Sequence, residues 1–424
     1  MTTVIFGAGA SVPFFSPTLN TKYLTDQVHN RSNWERVIAE LRARRSSDYD
    51  MITVDDVMLI LYFLAEQHPE YTFEQVCEML DKFCSYNCDT RQTTYFSSLI
   101  HLFAALKECM PVHPYHAWTD VPFLYRQIIA ETILDLEENH RAAEYKTLIQ
   151  RQTDFLQYLV DTDKDGSVNL ASFNYDECLI SSAEVLGFET GFEKPTEGGD
   201  GTSLNVKSFF SKKKVIYFPH GHIRYLMRGD EEMHYYTDAK AANAIRYDGV
   251  YPSDKDSIIT ILPAPFSLNF NTFITSGQAK EDSLNTSPYA YFYQRMAIDI
   301  LGSDRLIIIG NSLGDEHINR LLFSFGQVKE TNKIYVVDHH PDPIDLTQMP
   351  DETDIVFRLH KVFHTTWHVG YNLSDNTSYL LPEQEKNMQR INNPQTGYGE
   401  LYPQVDIYVK GYEEFLKDYQ QFIK

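Results

Sequence analysis

The sequence predicts an α/β protein: a doubly wound, mainly parallel sheet interrupted by a large all-helical insertion. Three observations carry that expectation. Short apolar strands alternate with helical periods after Gly166. One further strand of the same kind stands alone at the start of the chain. Between them runs a long stretch with helical period and no convincing strand. The expected organisation is a core made of 1–30 and 161–364, a helical insertion at 31–160, and a C-terminal extension at 365–424.

Thr3 to Phe6 read as a short buried strand, mostly β-branched or aromatic and uncharged. From about Ser16 to Val160 the period is helical. In YTFEQVCEMLDKF, Phe73, Val76, Cys77, Leu80 and Phe83 recur at steps of three and four, and Thr72 and Gln75 have capping-box spacing. Further helices are expected over 32–45, 53–67, 91–109, 121–137 and 141–160. VNLASFN (168–174), VIYFPHG (215–221), IITILPA (258–264), RLIIIG (305–310) and KIYVVD (333–338) then read as strands. CLISSAEVLG, 288–301 and 315–326 read as helices between them. EKPTEGGDGTS (193–203) is a loop by composition. YEEFLKDYQQFIK reads as a closing helix, placed either on the core or at an interface.

The chain has 424 residues, of which 43% are hydrophobic and 13% aromatic, enough for a large core. Its formal net charge of −22 repels nucleic-acid phosphates, so no direct nucleic-acid partner is expected. Five cysteines, odd in number and scattered, suit reduced thiols. Residues 1–11 read as a strand and turn rather than a secretory leader. No apolar run approaches the roughly 18 residues of a membrane span. A cytoplasmic chain without membrane contact is expected.

Four motifs carry the candidate chemistry. FGAGAS (6–11) places Gly7, Ala8, Gly9 and Ser11 after a strand, where glycines let backbone approach a ligand and a following helix N-terminus favours a pyrophosphate. SFNYD (172–176) puts Asn174 and Asp176 beyond a strand end, where open α/β sheets bind ligands; Asp176 also suits a helix cap. FPHGH (218–222) offers His220, whose pKa range suits general-base work. IIIGNSLGDEHINRLL (307–322) brings Gly310, Asn311 and Ser312 to the same edge, with Ser312 and Asp315 as candidate helix caps. Asp338 ends KIYVVD, where an acid often meets a ribose hydroxyl.

GAGAS, an N-x-D segment, HG and GNSL, in this order, resemble the sirtuin family of NAD-dependent enzymes, with a Rossmann/sirtuin-like sheet. The resemblance implies that Gly7, Ala8, Gly9 and Ser11 hold the NAD pyrophosphate. It implies that Asn174 and Asp176 face the nicotinamide and its ribose, that His220 is the catalytic base, and that Gly310, Asn311 and Ser312 contact the adenosine half. Asp338 follows at the adenosine end. NAD is then a substrate, and no metal is implied. Two departures matter. The chain has no Cys-x-x-Cys pair for structural zinc, and the deacylase loop Pro-Asp-Phe-Arg is replaced by VPFFSPTLN. A long helical block in place of the zinc module resembles sirtuin-like NAD hydrolases of bacterial anti-phage defence. FEQV (73–76) is similar to their F-E-x-V segment. That resemblance implies an NAD+ glycohydrolase acting by NAD depletion, with nicotinamide lying near Asn174, Asp176 and Phe14 or Phe15. It also implies a homo-oligomer and a partner ATPase of a defence system. A non-catalytic NAD or ADP-ribose sensor, and an NAD-dependent deacylase, are the alternatives.

Two further patterns resemble metal sites and are read otherwise. DTDKDGSVNLAS (161–172) has the acidic alternation of a calcium loop, with Gly166 in the sixth place. Ser172 replaces the bidentate Glu of the twelfth place, so a solvated helix-to-strand turn is expected. Cys84, Cys88, His101 and Cys109 fit no zinc spacing, and buried thiols are expected.

Overall fold

The computed structural model describes residues 1–44, 72–77, 114–193, 201–227, 233–236, 239–240, 242, 287–328, 333–339, 355–363, 388–391 and 404–423. The strands are β1 (Thr2–Phe6), β2 (Val168–Ser172), β3 (Thr202–Ser203), β4 (Lys214–Tyr217), β5 (Tyr225–Met227), β6 (Met233–Tyr235), β7 (Arg305–Ile309), β8 (Lys333–Val337), β9 (Met388–Ile391) and β10 (Gln404–Tyr408). Seven of them form one sheet in the order β4-β2-β1-β7-β8-β10-β9. The first six run parallel, and β9 closes the edge antiparallel to β10. Numbered by their order in the chain, the six parallel strands stand 3-2-1-4-5-6, the doubly wound order of Rossmann-like sheets. A separate antiparallel sheet has the order β3-β6-β5.

The central strands read as continuous apolar runs because both faces are covered. Val4, Ile5, Phe6, Leu170, Ala171, Ile307 and Ile308 are all buried. Alternation along β1 assigns the helices to the two faces. Thr3 donates its hydroxyl to the carbonyl of Asp299 in the helix Tyr289–Gly302. Phe6, on the opposite face, meets the ring of Tyr412 edge-on at 6.1 Å, in the helix Tyr412–Phe422. The helices Glu316–Val328 and Ile355–Phe363 pack in sequence beside Tyr289–Gly302; Tyr145–Thr162 and Cys178–Val185 join the Tyr412–Phe422 side. One buried cation locks the first face. Arg295 reaches Asp299, Asn169 and the carbonyls of Phe209 and Lys212.

Between β1 and β2 the described residues form helices, Thr21–Val28, Arg31–Arg44, Pro114–Asn139 and Tyr145–Thr162, with none of their residues in the sheet. Residues 73–77 are helical, and the capping box is formed: the Thr72 amide donates to Gln75 Oε1, and the Gln75 amide meets Thr72 Oγ1. The expected strand at 258–264 and the expected helices at 53–67 and 91–109 lie outside the described residues, as do Cys84, Cys88, His101 and Cys109.

The segment 365–424, read from sequence as an extension beyond the core, supplies β10 to the main sheet and the helix Tyr412–Phe422 to its face. The apolar run in VDIYV explains the placement: Val405, Ile407, Tyr408 and Val409 are all buried, as in a strand covered on both faces. In the acidic stretch 161–166, Asp161 and Thr162 close the helix Tyr145–Thr162 and residues 163–166 turn toward β2. Asp163 accepts from the Thr2 hydroxyl and from the amides of Asp165 and Ser167.

Candidate functional site

The parallel register brings five strand ends to one edge. Phe6 pairs with Ser172 and Ile309, Ala171 with Tyr217, and Ile309 with Val337. Each is followed within three residues by a predicted site residue: Gly7, Asn174, His220, Gly310 and Asp338. The chain winds outward from β1 in one direction, then crosses to β7 and winds the other way. The β1 and β7 loops therefore flank the point where strand order reverses, the usual ligand crevice of such sheets.

Those two loops touch through backbone. Gly7 N donates to Ile309 O at 2.8 Å, and Gly9 N to Gly310 O at 2.9 Å. A Cβ on Gly7 would stand 2.6 Å from Asn311 Cα, and one on Gly9 would stand 2.7 Å from Gly310 Cα. Gly310 has φ +58°, and a Cβ there would stand 2.4 Å from Ala10 N. Leu313 also holds a left-handed φ of +54°, in a turn where Asn311 Oδ1 accepts from its amide. Ser312 is exposed, and its carbonyl accepts from Arg358 of the helix Ile355–Phe363.

The α-helix expected behind the glycine pair is absent. Two 3-10 turns, Ala8–Ala10 and Val12–Phe14, stand there, and the first α-helix begins at Thr21. Pro13 has no amide to donate and interrupts a helix at this point. The amides of Ala10 and Ser11 donate back to Gly7 O and Ala8 O. Phe14 and Phe15 pack inward against the ring of Tyr145.

Ser11, Asn174 and Asp176 form one buried chain. Ser11 donates its hydroxyl to Asp176 Oδ2 at 2.5 Å. Asn174 Nδ2 donates to Ser11 Oγ at 2.8 Å and to Gly7 O at 2.9 Å. Asp176 Oδ1 accepts from the Cys178 amide, so the carboxylate also stabilises the start of the helix Cys178–Val185. Burial raises the Asp176 carboxyl above its ordinary value, and the Ser11 and Cys178 bonds oppose that rise.

His220 lies in the β4 loop, buried against Phe173 with ring centroids 4.5 Å apart. Its Nε2 is 3.5 Å from Asp315 Oδ2 in the β7 loop. Three strand spacings, about 14 Å, separate β4 from β7 in the sheet. The two loops thus arch over the ends of β2 and β1 to meet. His222, fully buried, accepts from the Arg224 amide at Nδ1 and donates from Nε2 to Asp176 O. Asp338 joins the edge through backbone: its amide donates to Tyr408 O, and its carbonyl accepts from Gly411.

The sequence reading missed three contacts. Asp315 was expected only as a cap, yet its side chain meets His220. Glu74, in the FEQV segment, accepts from the Tyr175 hydroxyl at 3.0 Å. Glu137, in the helix Pro114–Asn139, accepts from the Glu177 amide at 2.9 Å. Periodicity and the capping box announced the helix that carries Glu74, but no local spacing pairs either glutamate with the 174–177 loop. Among the described residues, two donor sets lie close together: His220, Asp315 and His317, and Glu137, Asp176 and Cys178, each with one donor atom per residue within 4.8 Å of the others. In the first set His317 Nε2 already lies 3.1 Å from the Tyr293 hydroxyl. Cys178 and Cys77 are both buried.

Comparison with protein-family models and with curated proteins finds no match to this chain.

Proposed function

We propose that the chain is an NAD+ glycohydrolase that releases nicotinamide and ADP-ribose. The observation that supports this best is the arch itself. A buried histidine and a carboxylate from loops on either side of the glycine turn meet above the reversal point of a 3-2-1-4-5-6 sheet. That arrangement suits a dinucleotide lying along the edge, with its pyrophosphate over residues 7–11, its adenosine toward 310–312 and Asp338, and its nicotinamide ribose toward Asn174 and His220.

The chemistry needs little acid catalysis. Cleaving the C1′–N bond leaves both electrons on nicotinamide, which departs neutral. The ribose carbon passes through an oxocarbenium-like state. Water adds at C1′, and its proton passes to His220. With Asp315 facing Nε2, the neutral ring carries its lone pair on Nδ1, and the carboxylate stabilises the imidazolium that forms. Asp176 supplies negative charge near the positive ribose, and Asn174 orients the water. In this reading the cell loses NAD, as in anti-phage defence, and a homo-oligomer or a partner ATPase governs the activity.

A second reading has its own observation. Asn174, Ser11 and Asp176 satisfy one another, and four amides of the 7–11 loop bond within the protein. A site so closed suits a sensor that binds NAD or ADP-ribose without turnover. Incubation with NAD and measurement of nicotinamide separates the two. Release that depends on His220 supports hydrolysis; saturable binding without release supports the sensor; release only with an acylated peptide supports a deacylase.

A further inference from the structure

We propose that Glu137, a residue of the helical block, is a positioning residue for the Ser11–Asn174–Asp176 chain and acts by sharing a single proton with Asp176. The functional meaning of that role rests on the dinucleotide reading above; the shared proton itself does not.

The geometry is that of two carboxyl groups in one dry pocket. Glu137 has 5% of its side chain exposed, and Asp176 as a residue is 3% exposed. One oxygen of each carboxyl group and Cys178 Sγ lie within 4.8 Å of one another. Glu137 Oε1 accepts from the Glu177 amide, and Oε2 is 3.3 Å from Arg141 and 3.5 Å from the Tyr145 hydroxyl. Asp176 uses both oxygens on Ser11 and Cys178. The titratable groups facing the pair are Arg141, Tyr145, Glu177 and Cys178, with His222 on the Asp176 carbonyl. Burial pushes the Tyr145 phenol and the Cys178 thiol up, so both stay neutral. Arg141 is the one cation among these neighbours, and it is half exposed.

Two buried anions this close repel, and a single half-solvated cation does not neutralise both. Burial, then the Asp176 charge, pushes Glu137 up to about 7. While Glu137 keeps its proton, Asp176 is the only anion and draws in the Ser11 hydroxyl. When Glu137 ionises, the helix Pro114–Asn139 and the 174–177 loop carry like charges at their contact. The same glutamate grips the loop at the Glu177 amide. The helical block therefore holds both the shape and the charge of the strand-end loop, from outside the sheet.

The test compares wild type, Glu137→Gln and Arg141→Gln from pH 5 to 8.5. Gln keeps the acceptor for the Glu177 amide and removes the titration. Thermal midpoints are one readout: as pH rises from 5 to about 7, the wild type should lose stability more steeply than Glu137→Gln. Arg141→Gln should move that loss to higher pH, because the cation favouring ionisation is gone. Parallel midpoint profiles for all three overturn the shared proton. Nicotinamide release is the other readout. The wild-type rate should fall by up to about tenfold per pH unit above 7, and the Glu137→Gln profile should lack that limb. A limb unchanged in Glu137→Gln overturns the positioning role. Absence of release in wild type refutes the hydrolase reading instead, and the midpoints still decide the proton.

Discussion

His220 Nε2 stands 3.5 Å from Asp315 Oδ2, joining loops whose strands are separated by β2 and β1. Removing the imidazole should remove the base. His220→Ala should lower nicotinamide release by about 10²–10⁴-fold, and Asp315→Asn by roughly tenfold, with thermal midpoints reported beside the rates. Equal rates in wild type and His220→Ala would remove the histidine from the chemistry.

Gly310→Ala should be severely destabilising, because its Cβ would meet Ala10 N at 2.4 Å with φ +58°. Gly166 has a similar φ of +61° but nothing within 4 Å of a Cβ. Gly166→Ala should cost only the conformational strain, about 1 kcal/mol, and Gly310→Ala at least twice that, about 2–4 kcal/mol. Urea denaturation of the two variants checks the difference, which isolates close packing of the β1 and β7 loops from backbone strain.

Ser11→Ala takes away a hydrogen bond from a buried carboxylate. The expected cost is about 1–3 kcal/mol at neutral pH. The bond favours the charged form of Asp176, so its loss raises that carboxyl further. The deficit should be largest where Asp176 is ionised and should shrink as pH falls. Denaturation at pH 7 and pH 5 measures it.

Asp299 is pushed up to about 6 by burial, against the opposing effects of Arg295 and the Tyr217 hydroxyl. The folded chain then holds a proton that the unfolded chain releases. This contribution to stability is complete below about pH 4 and is lost as pH rises through about 6. Arg295→Met removes the opposing cation and leaves a buried acid alone. We expect a loss of about 3–5 kcal/mol at pH 7.5 and a smaller loss at pH 5, read from denaturation midpoints.

The sheet was legible because its strands are short apolar runs that end in glycine or small polar residues. VNLAS, KVIY, RLIII and KIYVV each form at their expected positions. β10 was harder to read, because QVDIY follows a long mixed stretch and its partner β8 lies far back in the chain. At the site, Gly7, Gly9, Ser11, Asn174, Asp176, Gly310 and Asn311 form one cluster, as their strand-end motifs implied. The missing part was the second layer of carboxylates. Asp315, Glu74 and Glu137 act across the fold, and helical periodicity records which face is buried, not which residue that face meets. The 3-10 turns at 8–14 escaped for a local reason: Pro13 outweighs the glycine pattern in front of it.

Of the strands described in the main sheet, β1 is synthesised before its two neighbours, β2 and β7, which are encoded far downstream. The nascent chain must carry this apolar segment unpaired while the helical block is made. Sequence-distant pairing of this kind slows folding and leaves the early strand open to wrong partners. It also sets a time for the birth of the cleft. Until synthesis has passed Asp315, no molecule has both sides of the arch, and an incomplete translation product cannot assemble it.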